Sequence, residues 1–229
     1  MDRTLYPGFA KNWDDALLRH RIEARLRPDM NVLDLGAGAG IVEHMNFRGR
    51  VARICGADLD PRVTSNPYLD EGRVASAEAL PWADATFDLV FSDNVLEHLG
   101  DPAAAFREVK RVLKPGGTFV AKTPNRNHYV ATLARITPTD FHRWINRRRG
   151  RAEEDTFPTR YRANTSRRIR ALATETDLEL RSLEFFEGRP EYLRLTAITY
   201  TLGWLYERAV NSSACLAPFR VVMVAEFRR

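Results

Sequence analysis

Short apolar runs alternate along this chain with longer segments whose apolar residues recur every three or four positions. Five runs before residue 125 have the length and composition of buried strands: 32–35, 53–60, 73–75, 87–92 and 118–122. The intervening segments favour helices or turns. This alternation predicts an α/β fold built on a doubly wound, mostly parallel sheet.

Helix signals lie between and before these runs. Apolar residues on one face follow Asn12, which we expect to cap a first helix. Asp101 and Pro102 form the cap and first position of another helix. We also expect a helix after the first strand that runs to about Met45, and a helix capped by Asn164.

Two later segments depart from the alternation. Residues 124–163 are polar, aromatic and basic without a clean period, and they follow strand five at the edge where open sheets bind ligands, so we expect a substrate lid. Residues 190–215 contain an apolar helix between a sixth strand at 177–186 and a last strand at 219–227. Large residues on nearly all faces of this helix favour burial against a partner subunit, the lid or a membrane surface.

The glycine spacing after the first strand argues against a dinucleotide site. In VLDLGAGAG, residues 32–40, the third glycine comes one residue too early for G-x-G-x-x-G. Asp34, two residues before Gly36, would also repel a pyrophosphate. The same carboxylate suits a cationic ligand such as S-adenosylmethionine, which carries an ammonium and a sulfonium.

Four motifs in this order resemble those of class I S-adenosylmethionine-dependent methyltransferases, over about residues 30–125. They are VLDLGAGAG at 32–40, RICGADLD at 53–60, ASAEALPW at 75–82, and FDLVFSDNVLEH at 87–98 followed by RVLKPGG at 111–117. The resemblance implies one domain, residues 1–229, with a seven-stranded, mostly parallel sheet. In that fold the last strand is antiparallel and lies between strands five and six.

The resemblance also implies a set of cofactor-binding residues, with S-adenosylhomocysteine as the product. Asp34 would lie near the methionyl ammonium, the backbone of Gly36 and Gly38 would approach the cofactor, and Asp58 would receive the ribose hydroxyls. Asp60 is a second acid that could share this last role. The remaining expected contacts are Leu59, Ala77, Glu78, Ser92 and Asp93.

The catalytic base is less clearly marked. His128 follows strand five by a few residues, and His142 lies further into the expected lid; both are candidate bases or substrate contacts. A free imidazole titrates near neutral pH and can accept a proton from a hydroxyl. The histidines lack a metal-ligand spacing such as H-E-x-x-H, so no metal is indicated.

Composition bears on the protein's location in the cell but does not identify its substrate. The 229 residues are 44% hydrophobic and 28% charged, without a signal peptide or a long apolar run, which predicts a cytoplasmic protein. Two cysteines are too few and too differently placed for a disulfide framework. The net charge of +5, with an arginine cluster at 147–151, permits an acidic substrate, a membrane face or nucleic acid and selects none.

From these observations we expect methyl transfer to a small or medium organic acceptor, at oxygen, such as a secondary metabolite, a sugar or a lipid-linked intermediate. Nucleic acid is not an expected partner, and the 190–210 helix is a candidate surface for a homodimer or for peripheral membrane contact. Three other functions stay open at this point: an RNA or protein methyltransferase that uses the basic lid, a cofactor-binding partner protein without turnover, and an NAD-dependent enzyme.

Overall fold

The computed structural model describes residues 2–9, 12–130 and 158–229, which form a seven-stranded sheet. The strands are β1 Asn31–Leu35, β2 Arg53–Asp58, β3 Glu71–Val74, β4 Phe87–Asp93, β5 Leu113–Pro124, β6 Glu179–Phe186 and β7 Val222–Arg228. Their order is β3-β2-β1-β4-β5-β7-β6, with β7 antiparallel to both neighbours and the other pairs parallel. The predicted fold class is confirmed.

Helices cover both faces of this sheet. They are α1 Asp2–Leu5, α2 Trp13–Glu23, α3 Pro102–Val112, α4 Ser166–Thr176 and α5 Ala197–Asn211. On one face α3 and α4 pack on a core that includes Phe106, Phe119 and Phe227. On the other, Leu18 and Ile22 of α2 pack with the second core cluster. Strand residues alternate between the two cores, as a sheet buried on both sides requires.

The predicted helix after the first strand is wrong. Only a short 3-10 turn, Glu43–Met45, follows the glycines. Gly40 has a φ of 74° and Gly49 a φ of 77°, and the backbone is extended at Val42 and Asn46 between them. These breaks leave too few consecutive residues to propagate a helix.

One predicted cap is also wrong, and a second, Asn12, is at the predicted N-cap position but without a side-chain bond. Thr165, not Asn164, caps α4 by accepting a hydrogen bond from the Arg168 amide. The buried Asn164 side chain instead donates to Thr123 Oγ1 and to the Pro124 carbonyl. Asn12 precedes α2 but makes no capping bond with its side chain. The predicted cap at Asp101 is confirmed, because its carboxylate accepts from two amides of the first turn.

The two insertions are described in part. Residues 131–157, which include His142 and the arginine cluster at 147–151, lie outside the described residues. The chain re-enters the described part beside the loop after β4, where the Arg160 and Tyr161 amides donate to the Glu97 carbonyl. The second insertion holds a 3-10 turn, Glu191–Leu193, and then α5. Within the described ranges, none of the helices combines the length and apolar character needed to cross a membrane.

Candidate cofactor-binding site

The topology places a crevice between the carboxyl ends of β1 and β4. From β1 the chain adds β2 and β3 on one side, and then β4 and β5 on the other. Open α/β sheets bind ligands at such a switch point, outside the carboxyl ends of the strands. Here those ends carry Asp34 and the glycine loop on β1, and Ser92 and Asp93 on β4.

The three glycines of the loop have different roles. Gly36, Gly38 and Gly40 have φ values of 85°, 49° and 74°, a region that favours glycine. A Cβ on Gly36 would lie 2.2 Å from Val95 Cγ2, and one on Gly40 would lie 2.3 Å from Asn66 Oδ1. A Cβ on Gly38 would have its nearest neighbour, an Asp58 oxygen, at 3.9 Å. The first and third glycines are therefore required by packing, whereas a Cβ on Gly38 would make only an ordinary van der Waals contact among the described residues, which leaves room for a ligand beside its backbone.

Asn66 holds this loop in place, and the sequence did not reveal it. Its side-chain Nδ2 donates to the carbonyls of Ala37, at 2.9 Å, and Gly38, at 3.2 Å. Its Oδ1 accepts from the Tyr68 amide at 2.9 Å. The side chain is buried, so these bonds satisfy groups that water does not reach. The Asn66-Pro67 dipeptide signals a turn but says nothing of the loop that it contacts.

Asp58 lies directly behind the glycine loop. Its Oδ2 accepts from the Gly38 amide at 2.8 Å, and its Oδ1 accepts from the Asp60 amide at 2.9 Å. Each carboxylate oxygen keeps a further lone pair, so ribose hydroxyls can still be received. Asp60 is occupied elsewhere, since its carboxylate accepts from the Arg62 amide and pairs with the Arg62 guanidinium. Beside them the Leu59 side chain is 66% exposed, an apolar surface suited to a nucleoside.

Carboxyl groups are concentrated at the crevice. Burial raises the pKa of Asp34 well above its usual range, and the nearby carboxylates of Asp93 and Asp58 raise it further. Burial also raises the pKa of Asp93 to about 6, although the ammonium of Lys122 opposes the shift. A cation bound here would restore the ionised form of both groups.

Glu78 and Ser92 have other observed environments. Glu78 Oε1 accepts from the amides of Gly100 and Asp101, both at 2.8 Å, and so braces the start of α3. Ala77 is packed against the core beneath that helix. Ser92 is fully buried, and its hydroxyl has no hydrogen-bond partner among the residues that the structure describes. Contact of these residues with the cofactor stays a prediction.

His128 lies beyond the carboxyl end of β5, in a buried aromatic cluster. Its ring centre is 4.1 Å from that of Tyr129 and 5.3 Å from that of Tyr206. Its Nε2 lies 3.3 Å from Glu187 Oε2, and its Nδ1 accepts from the Val130 amide at 3.3 Å. Because both ring nitrogens of His128 face protein groups, this geometry favours a role in orienting other groups. The role of His128 as the catalytic base stays a prediction.

Comparison with known proteins gives a family match over the same part of the chain. Residues 33–121 match the family model described as a methyltransferase domain. The chain is 36% identical over 100 residues to a malonyl-[acyl-carrier protein] O-methyltransferase of Hahella chejuensis, covering 41% of this chain and 36% of that protein. It is 33% identical over 125 residues to a ubiquinone biosynthesis O-methyltransferase of Cereibacter sphaeroides, covering 51% of this chain and 50% of that protein. The matches thus span half or less of these relatives' lengths.

A solved structure agrees over most of the chain. Geranyl diphosphate C-methyltransferase from Streptomyces coelicolor A3(2), determined with S-adenosyl-L-homocysteine, superposes with a TM-score of 0.57 at 17% identity. The superposition covers 95% of this chain and 79% of that one. At this identity the likeness concerns the fold alone. Residues 33–121 thus match a methyltransferase domain and the likeness in fold extends over most of the chain, in agreement with the resemblance to class I S-adenosylmethionine-dependent methyltransferases that the motifs indicated.

Proposed function

We propose that this protein transfers a methyl group from S-adenosylmethionine to a small or medium organic acceptor, at oxygen. The observation that carries the proposal is the pairing of an accessible Gly38 backbone with the buried Asp34 and the half-buried Asp93 at one crevice. A dinucleotide would bring its pyrophosphate against Asp34 and Asp93, whereas the ammonium and sulfonium of S-adenosylmethionine are attracted to them.

The protein's own residues have mainly to align the reactants. Bound S-adenosylmethionine would supply a methyl group already activated by the sulfonium. Asp58 fits the ribose, Leu59 offers apolar surface, and Asp34 fits the methionyl ammonium. Correct alignment of nucleophile, methyl and leaving sulfur accounts for much of the rate in such an in-line displacement.

The acceptor would enter from the β5 and β7 side of the crevice. Tyr129 and Tyr206 lie there, with ring centres 4.8 Å apart, beside His128. Aromatic rings favour an acceptor with ring or apolar surface. Transfer to oxygen is supported by the names of the two curated relatives, and transfer to carbon, as in the Streptomyces enzyme, is the competing outcome.

The test is transfer of labelled methyl to an acceptor panel, read by mass spectrometry. The panel holds phenolic quinol precursors, a carboxylic acid, a lipid-linked sugar, tRNA and a peptide mixture. Label on a small hydroxyl or carboxyl oxygen in the wild type, lost in Asp34→Asn, supports the proposal. Label on RNA or peptide supports the macromolecular alternative, and cofactor binding without label in any arm supports a partner protein without turnover.

For α5 we propose pairing with a second copy of the chain. Ile198, Leu202 and Leu205 are exposed, by 74%, 58% and 51% of their surfaces. Their spacing of four and then three residues is that of a coiled-coil seam. Light scattering should show a dimer that Leu202→Glu converts to a monomer. A wild-type monomer that binds lipid vesicles would contradict pairing and support peripheral membrane contact instead.

A further inference from the structure

A fully buried lysine lies at the carboxyl edge of the sheet. Lys122, near the end of β5, is 0% exposed. Its Nζ lies 2.6 Å from Asp15 Oδ1, 2.8 Å from Asp93 Oδ1 and 3.0 Å from Asp14 Oδ2. We call these four residues the Lys122 cluster. One ammonium thus faces three carboxylates, which leaves an excess of two negative charges when all are ionised.

The cluster joins three elements beside the proposed cofactor crevice. Asp14 and Asp15 come from the first turn of α2, a position that favours acidic residues. Asp93 ends β4 and is in register with Lys122 on β5. The next residue, Asn94, has a φ of 54°, and such a left-handed residue at the end of a central strand is a common mark of a functional edge.

Lys122 keeps its charge in this setting. Burial lowers the pKa of Lys122, but Asp93, Asp14 and Asp15 more than offset that effect, so its pKa lies above the ordinary value. Replacing Lys122 would therefore remove a real positive charge, and replacing Asp15 would remove a negative one. The two substitutions therefore change the electrostatic potential at the crevice in opposite directions.

The methyl donor and the product differ in charge at one atom. S-adenosylmethionine carries a methyl group on a positively charged sulfur, whereas S-adenosylhomocysteine lacks that methyl group and its sulfur is neutral; their remaining groups are the same. We propose that the Lys122 cluster is a specificity element that favours the charged donor over the neutral-sulfur product, and that Lys122 sets the size of this preference. This inference rests on the proposed function, because it requires the cofactor to lie at the β1 and β4 crevice.

A purely structural role for the cluster predicts a different result. If Lys122 only ties α2 to the sheet, its loss would weaken both ligands by the same factor. If its charge acts on the sulfur, the ratio of the two dissociation constants must change. The ratio is therefore the quantity to measure, rather than either affinity alone.

The experiment is parallel calorimetric titration of both ligands at pH 8.5 with wild type, Lys122→Met and Asp15→Asn. We expect the preference for S-adenosylmethionine to rise in Lys122→Met and to fall in Asp15→Asn. Each change should be roughly threefold to tenfold, the order of size expected for the interaction of two unit charges through a partly solvated site.

Lys114→Met is the matched control. Lys114 is also on β5 and also pairs with an aspartate of β4, Asp88, at 2.8 Å, but at the opposite edge of the sheet. Its loss should leave the ratio unchanged. If Lys122→Met does not fold, Asp15→Asn still gives a result, since it keeps the buried lysine and its two other partners.

The outcomes separate the inference from the function on which it rests. An unchanged ratio in Asp15→Asn and Lys122→Met, with both ligands still bound by the wild type, overturns the charge role of the cluster. Failure of the folded wild type to bind either ligand overturns the proposed function itself.

Discussion

Replacement of Gly38 by alanine tests whether this glycine faces the ligand or is needed only for the protein's own structure. At a φ of 49°, alanine costs about 1–2 kcal/mol relative to glycine because its Cβ crowds the backbone. No further clash is expected inside the protein, since the nearest atom to the added Cβ would be 3.9 Å away. The free energy of unfolding should therefore fall by only about 1–2 kcal/mol.

Cofactor binding should suffer more than stability. The added methyl group would occupy the space through which a ligand approaches the Gly38 backbone, so we expect affinity for S-adenosylmethionine to fall at least about tenfold, or ~1.4 kcal/mol. Calorimetric titration measures this loss, and urea denaturation measures the stability of the same protein.

Gly49→Ala is the matched control for this experiment. Gly49 has a φ of 77°, and an added Cβ there would meet no atom of the described residues within 4 Å. It should lose a similar amount of stability and no affinity. Equal affinities of Gly38→Ala and wild type would refute the prediction that the glycine loop contacts the cofactor.

Further predictions concern the residues around the loop. Asp58→Ala should weaken S-adenosylmethionine binding by ~1–3 kcal/mol in calorimetry, through loss of charge-assisted hydrogen bonds, and unchanged affinity would remove its ribose assignment. Asn66→Ala should lower the free energy of unfolding by about 1–3 kcal/mol in urea melts, because the carbonyls of Ala37 and Gly38 lose the hydrogen-bond donor that Asn66 supplies. A smaller loss would show that the glycine loop keeps its conformation without Asn66. Since the pKa of Asp93 is raised to about 6, and that of Asp34 well above its ordinary value, the folded protein keeps protons that the unfolded chain releases above about pH 4. Apoprotein stability should therefore decline as pH rises from about 4 to 6. Cofactor affinity should rise over the same range, with release of these protons, which calorimetry in buffers of different ionisation enthalpy detects. An affinity that does not change with pH would contradict this.

The sequence predicted the sheet and the glycine loop because their signals are local. Apolar runs identified β1 and β4 to within one residue at each end, but they identified only the centre of β5, which spans 113–124 rather than 118–122. The glycine spacing identified the loop after β1. The position of β7 between β5 and β6 came from the resemblance, not from periodicity.

The missed features depend on contacts between distant segments. Asn66 acts on carbonyls 28 and 29 residues earlier, and Lys122 pairs with carboxylates 107 and 108 residues away. In the sequence, a lysine at the end of an apolar run indicates an exposed strand end. The neighbouring residues in the sequence do not indicate that three carboxylates surround it. The wrongly predicted helix before Met45 has a different, local cause, because positive φ values at Gly40 and Gly49 and extended backbone between them interrupt the chain there.

The central claim is that the crevice between β1 and β4 binds an adenosyl sulfonium cofactor. Calorimetric titration of the purified protein with S-adenosylmethionine, S-adenosylhomocysteine and NAD in parallel tests it most directly. Saturable binding of the two adenosyl ligands, with no response to NAD, is the predicted result. Binding of NAD, or no binding of either adenosyl ligand by a demonstrably folded sample, would contradict it.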